Sequence, residues 1–183
     1  MTVPDDRELM NALALGDRTA LRPLYERHAA AMLRLLRRLC PSTSVAEEIM
    51  QESWLAVWQS AAAFRGDSSV RGWLLGVARR QAHNRLRRKE AETVDLEQAS
   101  EVADQRPGTE AQVLASASRQ RIVAAVRALP DIHREVIVLA LVEELPQRDV
   151  AAVLGVPVGT VKSRMSHARA ALVRALAEER VEP

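Results

Sequence analysis

A single glycine between two helical patterns limits the C-terminal third of this chain to one kind of structure. Before it, Val150, Ala151 and Leu154 form an apolar edge at helical spacing. Gly155 takes a positive φ at no steric cost, and Pro157 suits the first turn of a second helix, where no amide hydrogen is needed. Residues 145–176 are therefore predicted to form a helix-turn-helix.

The second helix of this pair has an apolar side and a cationic side. Its inward stripe is predicted to consist of Val161, Met165, Ala168 and Leu172. The polar residues left on the outer side are Lys162, Ser163, Arg164, Ser166, His167 and Arg169. Such a face fits the major groove of DNA, where Arg and Lys reach bases and phosphates. The alternative is a helical hairpin with a merely solvated basic face. The glycine turn and the small residues Ala151 and Ala152, which suit closely packed helices, favour DNA binding.

The low aromatic content narrows the fold class. Only 3% of the 183 residues are aromatic, whereas 48% are hydrophobic, so the cores have to be built from Leu, Val and Ala, as in helix bundles. The sequence thus predicts an all-α protein of one large domain or two small ones. It has no apolar run of about twenty residues and no N-terminal signal pattern, so we expect a cytoplasmic protein without membrane insertion.

The sequence gives no reason to expect a metal site or an enzyme. The single cysteine, Cys40, cannot form an internal disulfide, and the four histidines lack zinc-site spacing. Cys40 is predicted to be a buried packing residue, with a redox role as the alternative. There are no paired carboxylates, no nucleophile with a base and no phosphate-binding glycine loop. We therefore expect no catalytic residues, no cofactor, no metal and no small-molecule substrate.

The net charge is only +2, but the charged residues include a basic segment followed directly by an acidic segment. Residues 65–89 contain seven arginines and one lysine against one acid, and residues 90–110 contain seven acids against one arginine. The acidic stretch lacks apolar periodicity and contains Pro107 and Gly108, so we interpret residues 91–117 as a flexible linker. It joins a predicted N-terminal domain (1–90) to a predicted C-terminal domain (118–183), either as a tether between two DNA-binding modules or as an inert spacer.

The N-terminal residues carry two helical patterns with clear boundaries. Asp5 with Glu8 resembles a capping box that opens a short helix, which Gly16 closes. Asp17 begins a second pattern, which Pro23 is expected to kink or restart. Its apolar positions then continue at three-and-four spacing; they are Leu24, Tyr25, His28, Met32, Leu35, Leu36 and Leu39.

A third helix is predicted to begin at Ser44, which forms a second capping box with Glu47, and to end near Phe64. Its predicted inner face comprises Ala46, Ile49, Met50, Ser53, Val57 and Ala61. Its predicted outer face comprises Glu48, Gln51, Glu52, Leu55, Trp58 and Gln59. A leucine and a tryptophan beside carboxylates indicate a docking surface rather than a solvated face. The alternative is that Trp54 and Trp58 both belong to the core.

A polar loop at residues 64–70, FRGDSSV, leads into an arginine-rich helix at residues 71–89. The buried stripe of this helix is predicted to be Trp73, Leu74, Val77, Ala78, Gln81 and Leu86. The other side carries Arg79, Arg80, His83, Asn84, Arg87 and Arg88. Guanidinium groups along one side contact phosphates, and a tryptophan at the head offers a surface to unstacked bases, so the loop is placed to receive a base. A solvated arginine-rich helix is the alternative.

Two further apolar patterns precede the glycine turn. The first contains Ile122, Val123, Val126 and Leu129 and ends at Pro130. The second contains Val136, Ile137, Leu139, Ala140 and Leu141 and is predicted to be a strongly apolar helix. Both patterns place buried helices beside the helix-turn-helix.

Taken together, these segments resemble the extracytoplasmic-function (ECF) sigma factors, the smallest class of the sigma-70 family of bacterial transcription initiation factors. The resemblance covers nearly the whole chain and rests on DRELMNALALGD, AEEIMQESWLAVWQ, FRGDSSVRGWLLGVARR, LPDIHREVIVL and VPVGTVKSRMSHAR in this order. It implies two small helical domains, a region 2 bundle and a region 4 helix-turn-helix. It also implies a factor that binds core RNA polymerase, directs promoter-specific initiation and is controlled by an anti-sigma factor.

The resemblance further implies a role for each surface. The clamp of the largest polymerase subunit binds Glu48, Gln51, Glu52, Leu55 and Trp58. The minus-ten promoter element is melted and read by the loop residues Arg65, Gly66, Asp67, Ser68 and Ser69 and by the helix residues Trp73, Arg79, Arg80, His83, Asn84, Arg87 and Arg88. The minus-thirty-five element is read by Lys162, Ser163, Arg164, Ser166, His167 and Arg169, the last on phosphate. The chain departs from the family pattern at Pro23, which interrupts a helix that is commonly continuous, and at Pro146, where relatives often carry a capping serine.

The main alternative function is a free-standing helix-turn-helix regulator that binds operators without polymerase. Residues 1–90 are then a sensing or dimerising module. The arginine-rich helix in that half argues against this function, because a ligand-sensing domain does not need a second DNA-binding helix. An enzyme that acts on nucleic acid is a more distant alternative, since the sequence has no acidic or metal-binding constellation.

Overall fold

The computed structural model describes residues 4–92 and 120–178, and the regular elements in these ranges are helical, as predicted. The N-terminal part contains α1 (Asp6–Ala14), α2 (Leu21–Leu39), α3 (Thr43–Ser60) and α4 (Val70–Glu92), with 3-10 turns at Arg18–Ala20 and Ala61–Ala63. The C-terminal part contains α5 (120–128), α6 (Asp131–Ile137), a π-helical turn (Val138–Val142), α7 (Gln147–Leu154) and α8 (Val158–Glu178). The predicted linker (91–117) lies outside the described residues, except that its first two residues belong to α4.

The N-terminal part is a bundle in which α2, α3 and α4 pack on one another and α1 contacts all three. The predicted inner face of α3 is buried throughout, and α4 adds Leu74 and Leu75, which are fully buried. Burial of a leucine contributes about 1.5–3 kcal/mol, so this apolar core holds the bundle together. The Nε2 atom of the buried His28 ring forms a hydrogen bond of 2.7 Å with the carboxylate of Asp6.

Helix boundaries in this part follow capping chemistry. The capping box of Asp5 and Glu8 is confirmed, and Gly16, with φ +96°, follows the end of α1. The box predicted at Ser44 is wrong, because the N-cap of α3 is Ser42, whose Oγ accepts a hydrogen bond from the amide of Val45. Pro23 causes no kink, since it lies in the first turn of α2, where its missing amide hydrogen is not needed.

Three helices of the C-terminal part begin directly after a proline. The carbonyl oxygens of Pro130, Pro146 and Pro157 accept the first backbone hydrogen bonds of α6, α7 and α8, at 2.9–3.2 Å. Pro146 therefore takes the N-cap position of α7 without a side-chain cap. Each proline fixes its own φ, so the chain enters each helix in a restricted direction.

The helix-turn-helix is confirmed in its main features. Gly155 ends α7 in the left-handed conformation, with φ +67°. The inward stripe of α8 is buried at Val161, Met165 and Ala168, and Leu172 is half-buried. The helical hairpin is therefore held by apolar packing of α8 against α6 and α7.

Several residues predicted to lie in buried stripes are exposed. They are Tyr25, Ile122, Val123, Leu141 and Ala152. Tyr25 packs its ring against Trp54 from the solvent side, with ring centroids 5.2 Å apart. On α5 the buried residue is instead Ala125, followed by Leu129 just after the helix. The stripe was misplaced because short apolar runs satisfy more than one helical phase.

The π-helical turn after α6 changes the direction of the residues that follow it. The amide of Glu143 bonds the carbonyl of Val138, five residues back, at 3.0 Å. This extra residue in the turn leaves Leu141 and Val142 exposed and Glu143 fully buried. The side chain that faces the interior at this end of α6 is therefore an acid and not an apolar residue.

The two parts pack on each other through α4 and α7 and share one continuous apolar core. Gly72 and Gly76, four residues apart on α4, face α7. A Cβ atom on Gly72 would lie 3.3 Å from the Cβ of Asp149, and one on Gly76 would lie 3.8 Å from the Cα of Val153. A glycine inside a helix costs about 1 kcal/mol relative to alanine, and here the missing side chains allow the two helices to approach closely. Within 4–92 and 120–178, none of the helices combines the length and apolar character that crossing a membrane requires.

Candidate nucleic-acid interface

The outer face of α8 is open to solvent. Five of its six predicted minus-thirty-five residues are exposed, and the sixth, Arg164, is half-buried. Ser163 donates a hydrogen bond to the carbonyl of Thr160 at 3.0 Å, and the ring of His167 lies 6.1 Å from that of His133 on α6. The face thus presents cations and short polar groups on a helix whose opposite side is anchored in the core, the arrangement that major-groove recognition needs.

The loop before α4 is built from local contacts. Gly66 has φ +78°, and the guanidinium of Arg7 lies directly over it. Arg65 forms an exposed ion pair of 3.6 Å with Asp67. Ser69 starts α4, since its Oγ accepts from the amide of Gly72 at 3.0 Å. The loop is therefore fixed at its end, while its middle residues remain accessible.

A cavity of about 400 Å³ lies between this loop and the C-terminal part. Phe64 and Trp73 form one wall, with their rings edge to face at 5.8 Å, and Arg79 and Arg80 line the same space. The end of α7, from Ala152 to Gly155, forms the other wall. Aromatic rings beside guanidinium groups are suited to holding an unstacked base, and in this structure the C-terminal part occupies one side of the cavity.

Apart from Trp73, which is half-buried, the predicted minus-ten residues of α4 fall into two groups. Arg80, Asn84, Arg87 and Arg88 are exposed. Arg79 and His83 instead face α6, where both bind the carboxylate of Glu135; the Arg79 nitrogen lies 2.9 Å from it. Burial acts to raise the pKa of Glu135, but the hydrogen bonds from His83 and Arg79 outweigh it and hold the pKa below its usual value.

Two more buried acids of the C-terminal part contact the N-terminal part. Glu143 binds Arg34 through two bonds of 2.9 and 3.1 Å and binds Arg71 at 2.7 Å. Asp149 accepts a hydrogen bond of 2.5 Å from the Oγ of Ser69. With Glu135, these residues form a row of carboxylates against the loop and α4, and we call Glu135, Glu143 and Asp149 the acid row.

The outer face of α3 matches the sequence prediction. All five predicted polymerase-binding residues are exposed, including Leu55 at 50% and Trp58 at 37%, whereas Trp54 is buried. The guanidinium of Arg18 lies 5.0 Å from the Trp58 ring centroid, over its face. Arg85 of α4 reaches Glu48 and Glu52 at 3.1 and 3.6 Å. The alternative that both tryptophans are core residues is wrong, and the face combines apolar and acidic groups.

The remaining titratable groups do not form a metal site. Among the residues that the structure describes, no three His, Cys, Asp or Glu side chains are grouped closely enough to hold a metal ion. Cys40 is half-buried beside the core at the end of α2, and burial raises the pKa of its thiol to about 11. A thiol that resists ionisation suits the packing role predicted for it.

Comparison with known proteins gives this arrangement its family. Residues 24–92 match the model of Sigma-70 region 2, and residues 119–172 match that of Sigma-70, region 4. The ECF RNA polymerase sigma factor SigM of Mycobacterium tuberculosis is 36% identical over 172 residues, which cover 93% of this chain and 84% of SigM. The chain belongs to the ECF sigma factors.

Other sigma factors support the same family. The RNA polymerase sigma factor CnrH of Cupriavidus metallidurans is 35% identical over 176 residues, covering 91% of this chain and 92% of CnrH. The solved structure of CnrH in complex with the cytosolic domain of CnrY has a TM-score of 0.71 at 25% identity and covers 94% of this chain and 97% of that chain. The fold is also that of the sigma factor RpoE of Bartonella quintana, with a TM-score of 0.67 at 22% identity, covering 88% of this chain and 98% of RpoE.

As an ECF sigma factor, the chain binds core RNA polymerase and directs transcription initiation at promoters. The predicted family and function are thus confirmed, and the free-standing regulator is not favoured. The family's role is regulatory. Sequence reasoning missed the acid row, because an acid on an amphipathic helix is ordinarily assigned to the solvent side. The one available signal was the pair of glycines four residues apart on α4, which indicates that another backbone approaches there.

Proposed function

We propose that this sigma factor binds the polymerase clamp through the outer face of α3. The observation that carries this assignment is the exposure of Leu55 and Trp58 beside Glu48, Gln51 and Glu52 on one side of one helix. Aromatic and leucine side chains form the anchors of protein interfaces, and surrounding polar groups set orientation. The N-terminal domain that carries this face comprises residues 1–90, and α4 continues two residues beyond it to residue 92.

Promoter recognition is divided between the two parts. The loop from Arg65 to Ser69 and the α4 residues, including Trp73, Arg79 and Arg80, contact the separated minus-ten strand; His83, Asn84, Arg87 and Arg88 lie further along the same DNA. The six outer residues of α8 contact the minus-thirty-five duplex. Release of counterions by these cations provides most of the affinity, and a few base contacts provide the selectivity. The linker (91–117) and the C-terminal domain (118–183) complete the domain organisation.

Strand separation needs a site that holds an extruded base. Such a base is stabilised by stacking on Trp73 and Phe64 and by the guanidinium groups of Arg79 and Arg80, at an unstacking cost of a few kcal/mol. The chain itself catalyses no reaction, because nucleotide addition belongs to the polymerase. It acts in the cytoplasm, where its polymerase is.

An anti-sigma factor is the proposed inhibitor. The relative CnrH has been solved in complex with the cytosolic domain of CnrY, and its structure superimposes on nearly the whole of this chain. The half-exposed Leu55 and Trp58 offer an apolar surface of the kind that protein partners cover. An inhibitor that covers this face competes directly with the polymerase.

The experiment compares Leu55→Asp with Leu15→Asp. Both substitutions place a charge on an exposed leucine, but Leu15 follows α1 and lies off the outer face of α3. We expect Leu55→Asp to weaken binding to core RNA polymerase at least about tenfold, by roughly 1.4 kcal/mol, with duplex DNA binding unchanged. Co-elution with core enzyme and transcription from a promoter mapped after overexpression are the measurements. Equal loss in both variants, or failure of the unmodified chain to bind core enzyme, would count against the assignment.

A further inference from the structure

We propose that the acid row is an internal competitor for the minus-ten strand, which holds the free sigma factor in a closed, promoter-inactive form. This inference rests on the proposed role of the loop and α4 in minus-ten recognition. The competitor is the C-terminal part of the same chain, and it binds the surface that promoter DNA has to reach. Closure and minus-ten binding therefore exclude each other.

Each acid binds a loop or α4 residue that is proposed to contact the minus-ten strand, or a residue close to one. Glu135 binds Arg79 and His83, Asp149 binds the hydroxyl of Ser69, and Glu143 binds Arg71 next to that serine. Arginine, histidine and serine also bind the phosphates and bases of DNA. A carboxylate that bonds to these groups takes the donors that a DNA strand would use.

The position of the acid row also blocks access. All three acids are buried, and Glu143 has no exposed side-chain surface. Gly72 and Gly76 allow α7 to lie directly on the start of α4, and the end of α7 covers one side of the cavity beside Trp73. A base cannot enter the cavity from the α7 side until the two parts separate.

The contacts are of a kind that opens reversibly. The partners of Glu143 are well solvated, since the side chains of Arg34 and Arg71 are 45% and 39% exposed. Burial removes the Glu143 carboxylate from water, and this desolvation cost offsets much of its attraction to the two arginines, so the pairs add little net stability to the closed form. The Oδ1 atom of Asp149 is buried without a hydrogen-bond partner in the part of the chain that the structure describes, and its ion pair with Arg148 is long, at 3.7 Å, which further limits the stability of closure. A partner that binds only the open form shifts the population towards it.

A reversible lock tests the proposal directly. The chain carries Gly76→Cys and Val153→Cys in a Cys40→Ala background, which leaves these two cysteines as the only thiols. A Cβ at position 76 would lie 3.8 Å from the Cα of Val153, so the two helices approach closely enough for a disulfide, which needs Cβ atoms about 3.5–4.5 Å apart. We expect the oxidised chain with core enzyme to give at least about tenfold less transcription from the mapped promoter than the same chain after reduction. Both forms are expected to bind the minus-thirty-five duplex equally, because the α8 face stays open.

A second pair of variants tests the proposal in case the cysteine substitutions themselves lower the activity of the reduced chain. Glu143→Gln removes one charge of the acid row, and Glu144→Gln makes the same change at the exposed neighbour. We expect Glu143→Gln alone to raise binding of the free chain to a single-stranded minus-ten oligonucleotide, by about threefold or more. If oxidised and reduced chains are equally active, or if the two glutamine variants behave alike, closure is overturned while the proposed function stands. If the unmodified chain neither binds core enzyme nor supports transcription, the proposed function fails, and closure as a competitor fails with it.

Discussion

The two cationic helices of this sigma factor have similar side chains and different surroundings. On α8, Lys162 and Arg169 point to solvent from a helix whose other side is packed in the core. On α4, Arg79 and His83 are occupied by an acid from another part of the chain. A basic helix face therefore identifies a surface for an anionic partner, but it does not determine whether that anion is DNA or a carboxylate of the same chain. In the free chain neither helix contacts DNA. The anion that α4 binds is a carboxylate of the same chain.

The largest effect is expected from Val150→Asp, which should disrupt the helix-turn-helix that carries α8 and thereby uncover α4. Val150 is fully buried in α7, and an unpaired charge there costs at least about 3 kcal/mol. The helix-turn-helix should unfold, so binding to the minus-thirty-five duplex is lost while binding to a single-stranded minus-ten oligonucleotide rises.

Fluorescence anisotropy with each oligonucleotide, alongside circular dichroism, measures both changes. Gln147→Asp, an exposed residue on the first turn of α7, is the matched control and should change neither. If minus-ten binding falls together with minus-thirty-five binding, α7 supports the α4 surface rather than covering it.

Arg164→Ala tests whether the exposed face of α8 contacts the DNA backbone. If Arg164 contacts phosphate, its loss should weaken duplex binding uniformly across sequences and reduce the salt slope by about one. Because the face of α8 is exposed, the same change should appear in the free chain and in the polymerase complex. Arg174→Ala, further along α8 and exposed, serves as the control. A salt slope that stays constant would remove Arg164 from the DNA backbone.

Acidification tests whether the carboxylate of Glu135 holds the C-terminal part on α4. The pKa of Glu135 lies below its usual value of 4.5, because the hydrogen bonds of His83 and Arg79 outweigh the effect of burial. A lowered pKa in the closed form means that Glu135 stabilises closure fully above pH 4.5, and that this contribution is lost as the pH falls below it. Small-angle scattering should therefore show expansion of the chain at low pH.

The other charged groups near Glu135 set the control for this experiment. Arg79 and His83 face it from α4, and Asp131 and Arg134 belong to its own helix. Glu135→Gln removes only the titrating carboxyl. The variant should lack the part of the expansion that Glu135 causes, and identical curves for the two proteins would show that closure does not depend on this group.

The smallest effect is expected at Cys40, which contributes to neither surface. With a thiol pKa of about 11, Cys40 is almost entirely protonated at pH 8, so alkylation by iodoacetamide should be much slower than in the unfolded chain. Cys40→Ala should leave DNA and polymerase binding unchanged. Fast alkylation of the folded chain would show that the thiol is not held in the core.

The sequence predicted the features that depend on neighbours along the chain. The turn at Gly155, the capping box of Asp5 and Glu8, and the outward positions of Leu55 and Trp58 all follow from local periodicity and backbone chemistry. Where two local signals competed, the prediction failed. Ser42 and Ser44 are both suitable N-cap residues, and the choice between them depends on the path of the chain between the end of α2 and the start of α3.

The contacts that close the molecule could not be predicted in this way. Arg79 meets an acid 56 residues further along the chain, and Ser69 meets one 80 residues away. Periodicity assigns a residue to a face of its own helix, but it contains no information on which other helix covers that face. Gly72 and Gly76 marked the place of close approach without naming the element that approaches.

The π-helical turn makes the inward direction of Glu143 depend on chain length. Shortening the segment Val138–Val142 by one residue would restore ordinary helical winding and rotate the following residues by about 100° about the axis. Glu143 would then point away from Arg34 and Arg71, although all three residues would still be present in the sequence. Among sigma factors with the same acids and arginines, a deletion of one residue at this point would therefore distinguish chains that adopt the closed form from chains whose minus-ten surface is already accessible.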